Sequence, residues 1–197
     1  MKLLDLFCGA GGSAVGYHRA GFEVVGVDHA PQKNYPFEFH LANAMTYPLE
    51  GFDVIHASPP CQAYSRMRHL PWLRDKKYPR LIEPVLERLK AVSVPWVLEN
   101  VEDAKSVLPM APWLCGAMFS EPFYRHRLFA NNWRLIPPAH RGHHFVIRPG
   151  RMFGDVGDLA NAREAHCWPW MTKKEQRQAI PPVYTQYIGE RLMEYLA

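Results

Sequence analysis

The sequence predicts an α/β protein built on a parallel sheet. Short apolar runs alternate with segments of helical spacing along most of the chain. The first apolar run stops abruptly in a glycine turn that opens a helix, and the second ends in an acid. Together these features describe a strand–turn–helix–strand unit with polar groups gathered at the carboxyl ends of its strands.

The elements follow in order. Leu3-Leu4-Asp5-Leu6-Phe7 predicts a buried strand, ended by Cys8-Gly9-Ala10-Gly11-Gly12. Ser13 to Ala20 predicts a helix closed by Gly21. Phe22 to Val27 predicts the next strand, with Asp28 at its end. Phe52 to Ala57 predicts a further strand, broken by Ser58-Pro59-Pro60. From Tyr78 to Val92 the apolar spacing is helical, with Leu81, Val85, Leu86 and Leu89 on one face. Pro95 to Glu99 predicts another buried strand. Beyond about residue 120 the pattern weakens, punctuated by Pro137-Pro138, Gly142, Pro149-Gly150, Gly154 and Gly157. Pro181-Pro182 then leads into a last helix, Tyr184 to Leu196.

At 197 residues the chain suits one domain with its own core. Hydrophobic residues at 48% and charged residues at 21% exclude a disordered chain. No run approaches the roughly 18 to 20 apolar residues of a membrane span, and Asp5 comes too early for a signal peptide. The expected location is the cytoplasm of a bacterial or phage-infected cell. Four cysteines without a Cys-x-x-Cys pair argue against a disulfide scaffold. Charge is unevenly placed. Residues 66–80 and 124–151 hold 12 of the 23 basic residues and 1 of the 19 acids, a net +11 that leaves −7 on the rest. With Trp72, Tyr78, Trp133 and Phe145 among them, these tracts fit a face for nucleic acid.

Two sites stand out. The loop Gly9-x-Gly11-Gly12, followed by a helix and by Asp28 one strand later, suits a nucleoside-bearing cofactor. These residues do not separate a methyl donor from a dinucleotide. Cys61, in Ser58-Pro59-Pro60-Cys61-Gln62, falls at the same sheet edge, and the basic run after it is expected to favour the thiolate. Glu99-Asn100-Val101 ends a neighbouring strand. A carboxyl held there is expected to have a raised pKa and to donate a proton. Arg125-x-Arg127 offers two guanidiniums suited to phosphate or a carbonyl oxygen.

These motifs, in this order, resemble those of the DNA (cytosine-5) methyltransferases. They are Asp5-Leu6-Phe7-Cys8-Gly9-Ala10-Gly11-Gly12, Ser58-Pro59-Pro60-Cys61-Gln62, Glu99-Asn100-Val101 and Arg125-His126-Arg127, with the 38-residue step from Cys61 to Glu99. Leu114 to Phe119 and Ala179 to Gly189 resemble two further family segments. The resemblance implies a Rossmann-like S-adenosylmethionine-dependent methyltransferase sheet with flanking helices and a reduced, irregular target-recognition segment. It divides the chain into 1–128 for catalysis and cofactor, 129–170 for DNA recognition, and 171–197 closing the catalytic domain. It implies S-adenosylmethionine as cofactor, with Asp5, Phe7, Gly9, Gly11, Gly12 and Pro60 around it, Asp28 at the ribose, and His29 and Asn43 at the adenine. Cys61 would attack carbon 6 of a cytosine flipped out of duplex DNA. Glu99 would bond ring nitrogen 3, Arg127 the base carbonyl, and Asn100 would brace the cysteine turn. Arg125 would steady the catalytic loop or a phosphate. Gln62, Ser65, Arg66, Arg68, Arg134 and Arg141 would meet the DNA, and residues 66–80 would form a closing loop.

Departures also appear. Asn43 stands where the family has an acid, and Arg177-Gln178 where it has Gly-Asn. Only about 40 residues separate Phe129 from Trp170, too few for a large recognition domain with its own core. Such compactness resembles phage or prophage enzymes and implies relaxed specificity or a second subunit that reads DNA. A tRNA methyltransferase and a DNA-binding protein without turnover are the alternatives. His140, His143, His144, His166 and Cys167 match no standard zinc spacing, so no metal is expected. Cys8 and Cys115 read as small structural residues.

Overall fold

The computed structural model describes residues 1–73, 75–121, 123–140 and 168–197. Among these, the strands are β1 (Lys2–Leu6), β2 (Glu23–Asp28), β3 (Glu38–Leu41), β4 (Val54–Ala57), β5 (Trp96–Val101), β6 (Trp113–Leu114) and β7 (Arg127–Asn131). The helices are α1 (Gly12–Arg19), α2 (Ile82–Lys90), α3 (Lys173–Gln178) and α4 (Pro182–Leu196). The strands form one sheet in the order β3-β2-β1-β4-β5-β7-β6. Neighbours from β3 to β5 are parallel. The expected all-parallel pattern fails at the far edge, where β7 runs antiparallel to both β5 and β6. The expected boundary at residue 128 falls inside β7, whose pairing with β5 continues to Asn131.

Strands covered on both faces should be apolar at successive positions rather than alternate ones, and they are. Leu3, Val24, Val54, Val97 and Phe129 turn to one face, where they pack with Ala14 and Tyr17 of α1 and Tyr184, Ile188 and Leu192 of α4. Leu4, Leu6, Ile55, Ala57 and Leu98 turn to the other, against Ile82, Val85 and Leu89 of α2. α2 is shorter than its apolar spacing suggests. It begins at Ile82, which keeps Pro84 in the first turn, where its missing N–H is tolerated; an earlier start would press its ring on the Arg80 carbonyl. α4 begins at Pro182, a residue preset for a first helical turn.

The last helix is pressed onto the first. A Cβ on Gly16 would lie 2.0 Å from Thr185 Oγ1 and 2.2 Å from the Pro182 carbonyl, so the approach requires glycine. Thr185 Oγ1 donates to the Ser13 carbonyl at 2.9 Å across the same contact. α3 is held by a capping box in which Thr172 and Glu175 satisfy each other's backbone amides.

Candidate active site

Parallel β1, β2, β4 and β5 bring their carboxyl ends to one sheet edge. After β1 the chain turns through positive φ at Phe7 (59°), Gly9 (50°) and Gly11 (84°). A side chain on Gly9 would meet nothing within 4 Å, so open space lies beside this backbone. Asp28 holds the loop from β2: its carboxylate accepts from the Gly9 amide at 3.2 Å and the Ala30 amide at 3.0 Å. His29 lies exposed, with Nδ1 3.1 Å from Asp28 Oδ1. Asp5 is fully buried in β1. Its Oδ2 accepts from Ser13 Oγ at 2.7 Å, while its Oδ1 has no partner among the described residues. Burial raises its carboxyl to about 7, and the Ser13 bond offsets only part of that.

A Cβ on Gly12 would lie 2.4 Å from the Ile180 carbonyl, so this glycine admits the C-terminal segment. That segment also reaches the loop through Trp170, whose Nε1 donates to the Ala10 carbonyl at 2.9 Å. Asn43 is exposed, and its Oδ1 accepts from the Met45 amide at 2.9 Å within its own turn.

β4 leads through Ser58, buried Pro59 and half-buried Pro60 to Cys61. The Asn100 side chain donates to the Pro59 carbonyl at 2.8 Å, fixing the turn from β5. Beside Asn100, Glu99 is 7% exposed. The Arg127 Nε lies 3.0 Å from Glu99 Oε1, so the carboxyl has a cation against it. The antiparallel register explains the pairing. Glu99 faces Phe129 and Val101 faces Arg127, which sets Arg127 diagonally across from Glu99. Burial pushes the Glu99 carboxyl up despite Arg127, Arg125 and a hydrogen bond from Ser58.

Behind Glu99 runs a polar chain with no sequence motif to reveal it. The Tyr17 hydroxyl lies 2.9 Å from His56 Nδ1, and His56 Nε2 lies 2.8 Å from Ser58 Oγ. Burial holds His56 down to about 3, so its ring is neutral. Tyr17 from α1 thus connects through His56 and Ser58 to the carboxyl at the end of β5. An apolar strand with one buried histidine, Val54-Ile55-His56-Ala57, was the available signal.

Two electrostatic expectations need correction. The Cys61 thiol is pushed up, not down: burial dominates and Glu99 adds to it. The cations that oppose this are Arg127 and Arg125, not the basic run after the cysteine. Arg125 does not face a loop or a phosphate. It is 4% exposed, and its guanidinium donates to the Gln176 carbonyl at 3.1 Å and to the Arg177 carbonyl. Its own carbonyl accepts from the Tyr184 hydroxyl at 2.8 Å. Arg125 therefore ties the residue before His126-Arg127 to the C-terminal helices.

The expected substrate residues lie around the rim. Gln62 is exposed, and Ser65 caps the short turn Arg66–His69. Arg66 turns onto Asp103, with Nε 2.7 Å from Oδ1. Arg68 donates to the Ala63 carbonyl at 2.7 Å and lines a pocket of about 310 Å³ with His69, Lys76, Tyr78 and Arg80. Arg134 is exposed beyond β7. Arg141, His143, His144, His166 and Cys167 lie outside the described residues.

The sequence profile of C-5 cytosine-specific DNA methylase matches residues 1–107, more than half of the chain. The Type II methyltransferase M.HgiDI of Herpetosiphon aurantiacus is 29% identical over 178 residues, covering 82% of this chain and 55% of that protein. M.HgiGI of the same organism is 32% identical over 125 residues, covering 53% of this chain and 94% of that one. The chain thus spans about half the length of M.HgiDI. Among solved structures, the Entamoeba histolytica methyltransferase EhMeth superposes with a TM-score of 0.66 at 14% identity, covering 100% of this chain and 99% of that one. This likeness concerns the fold.

Proposed function

The chain belongs to the C-5 cytosine-specific DNA methylase family, and from that premise we propose that it methylates carbon 5 of cytosine in DNA from S-adenosylmethionine. The observation that carries the proposal is the convergence of Cys61, Glu99 and Arg127 at one sheet edge, with Arg127 3.0 Å from the buried Glu99 carboxyl. The residues at the end of β1 suit the cofactor. Asp5 presents a buried oxygen with no partner among the described residues, Asp28 a carboxylate, and Gly9 open space beside its backbone. Bound there, S-adenosylmethionine supplies an electrophilic methyl group.

The protein's own residues activate the base. The Cys61 thiol gives up its proton to solvent water as its sulfur forms a bond to carbon 6 of cytosine, and the ring double-bond electrons move onto carbon 5. Glu99, whose carboxyl is pushed up by burial, donates a hydrogen to ring nitrogen 3 and balances the charge that develops. Arg127 orients Glu99 and lies within reach of the base carbonyl. Once carbon 5 carries the methyl group, its proton leaves to solvent water, the ring double bond returns as the sulfur–carbon bond breaks to release Cys61 as thiolate, and nitrogen 3 gives its hydrogen back to the Glu99 carboxylate. The exposed basic residues Arg68, Lys76, Lys77 and Arg80 suit the DNA backbone. Recognition of the target sequence falls to residues 129–170, alone or with a second subunit.

The test uses methyl-labelled S-adenosylmethionine with unmethylated DNA and, separately, total tRNA. Label in 5-methylcytosine of DNA, lost in Cys61→Ala, is the expected result. DNA carrying 5-fluorocytosine should trap a covalent adduct, because fluorine does not leave carbon 5 as a proton does. Label confined to tRNA, or transfer that persists in Cys61→Ala, would overturn the proposal.

A further inference from the structure

Cys115, His126 and His140 are far apart in sequence but gather at the antiparallel edge of the sheet. Their ligand atoms all lie within 4.8 Å of one another. The ladder accounts for the first two. Leu114 pairs with Arg127, so the next antiparallel position sets Cys115 opposite His126. His140 returns to the same place by its ring, which packs 4.9 Å from Trp113, while Trp113 lies 4.8 Å from His126.

We propose that Cys115, His126 and His140 bind one zinc ion, with Glu102 orienting His126 from behind. His126 Nδ1 lies 3.1 Å from Glu102 Oε2. A carboxylate against the imidazole fixes its orientation, the usual outer support of a zinc-bound histidine. A sulfur with two imidazoles selects a borderline or soft cation over magnesium or calcium. Tetrahedral zinc needs donor separations of about 3.3 to 3.7 Å, so the three side chains draw together on binding. The fourth position is left to water.

The position gives the metal a role. His126 stands between Arg125, which is bound to the C-terminal helices, and Arg127, which faces Glu99. Zinc would fix this segment and anchor His140, which lies within the expected recognition segment 129–170. No sequence spacing points to the site, because ligands close together in the chain are the usual sign of zinc, whereas here the sheet register brings distant ones together.

The full-length protein, stripped with a chelator, would be titrated with zinc alone and with cobalt(II) as a spectroscopic substitute. One metal per chain is expected, with sulfur-to-cobalt charge transfer in the near ultraviolet that Cys115→Ser abolishes. His140→Ala removes an exposed side chain, so its metal-free melting should match the parent, while its zinc affinity falls by at least about 10- to 100-fold. Zinc should raise the melting temperature of the parent and not of this variant. Failure to bind stoichiometric zinc, or equal affinity in His140→Ala, would overturn the proposal.

Discussion

Cys61 is held as a thiol in the resting protein. Burial and Glu99 raise it above its ordinary range, and Arg127 and Arg125 only partly compensate. Its alkylation by iodoacetamide, followed by peptide mass spectrometry, should therefore accelerate with pH through the alkaline range without levelling off near neutrality. Arg127→Ala removes a cation and should slow alkylation further at a given pH; faster alkylation would contradict this electrostatic account. Asp5 and His56 affect stability in opposite directions. Asp5 binds its proton up to about 7 when folded, against 3.8 ordinarily, so between those values stability falls as pH rises. His56 is held to about 3 against 6.5, so across that interval the unfolded chain binds the extra proton and stability rises with pH. Asp5→Asn removes the falling contribution. Urea unfolding from about pH 4 to 6.5 should then steepen by up to about 1.4 kcal/mol per pH unit; parallel curves would contradict the buried ionisation. Glu99, also raised, remains in both proteins. At this scale Cys61, Glu99 and Asp28 were legible because they sit at strand ends beside turn residues. His56 and Ser58 were not, because their importance lies in what surrounds them.

Between elements, single contacts carry much of the assembly. Arg125 is the joint between β7 and the C-terminal helices. Arg125→Ala leaves two backbone acceptors without their charged donor, at a cost of about 3 kcal/mol or more in denaturant unfolding. Arg125→Lys should recover only part of that, since one ammonium cannot reproduce the guanidinium fork. Gly16→Ala tests the seam between α1 and α4. Helix propensity alone favours the change by about 1 kcal/mol, but the new methyl would meet Thr185 and Pro182 at 2.0 and 2.2 Å. Overpacking of about 1 to 3 kcal/mol should win, giving net destabilisation in the same assay. A stabilised variant would mean that the seam yields easily. The strands β1, β2, β4 and β5 and the helix α1 could be read from apolar runs and glycine turns. β3, with partly exposed side chains, and β6, two residues long, leave no such pattern. The reversal of β7 is a matter of topology, and no local propensity encodes it.

At the scale of the whole molecule, the charge asymmetry in the sequence becomes a basic rim near the candidate active site. Lys76 and Lys77 are exposed there. Replacing both with alanine should lower the slope of log affinity for DNA against log salt by about 1.8, near 0.9 for each phosphate no longer neutralised. An unchanged slope measured by DNA titration would move the binding face elsewhere. The packing of α4 on α1 has a kinetic consequence as well. Residues about 170 positions apart must meet before Gly12 and Gly16 find their neighbours. Contacts of such long sequence separation slow folding through the entropy of loop closure. During synthesis the glycine turn will therefore precede α4 by about 170 residues and wait, with its apolar flank exposed, until α4 has been made. Chaperone dependence, rather than final stability, is where that delay should be felt.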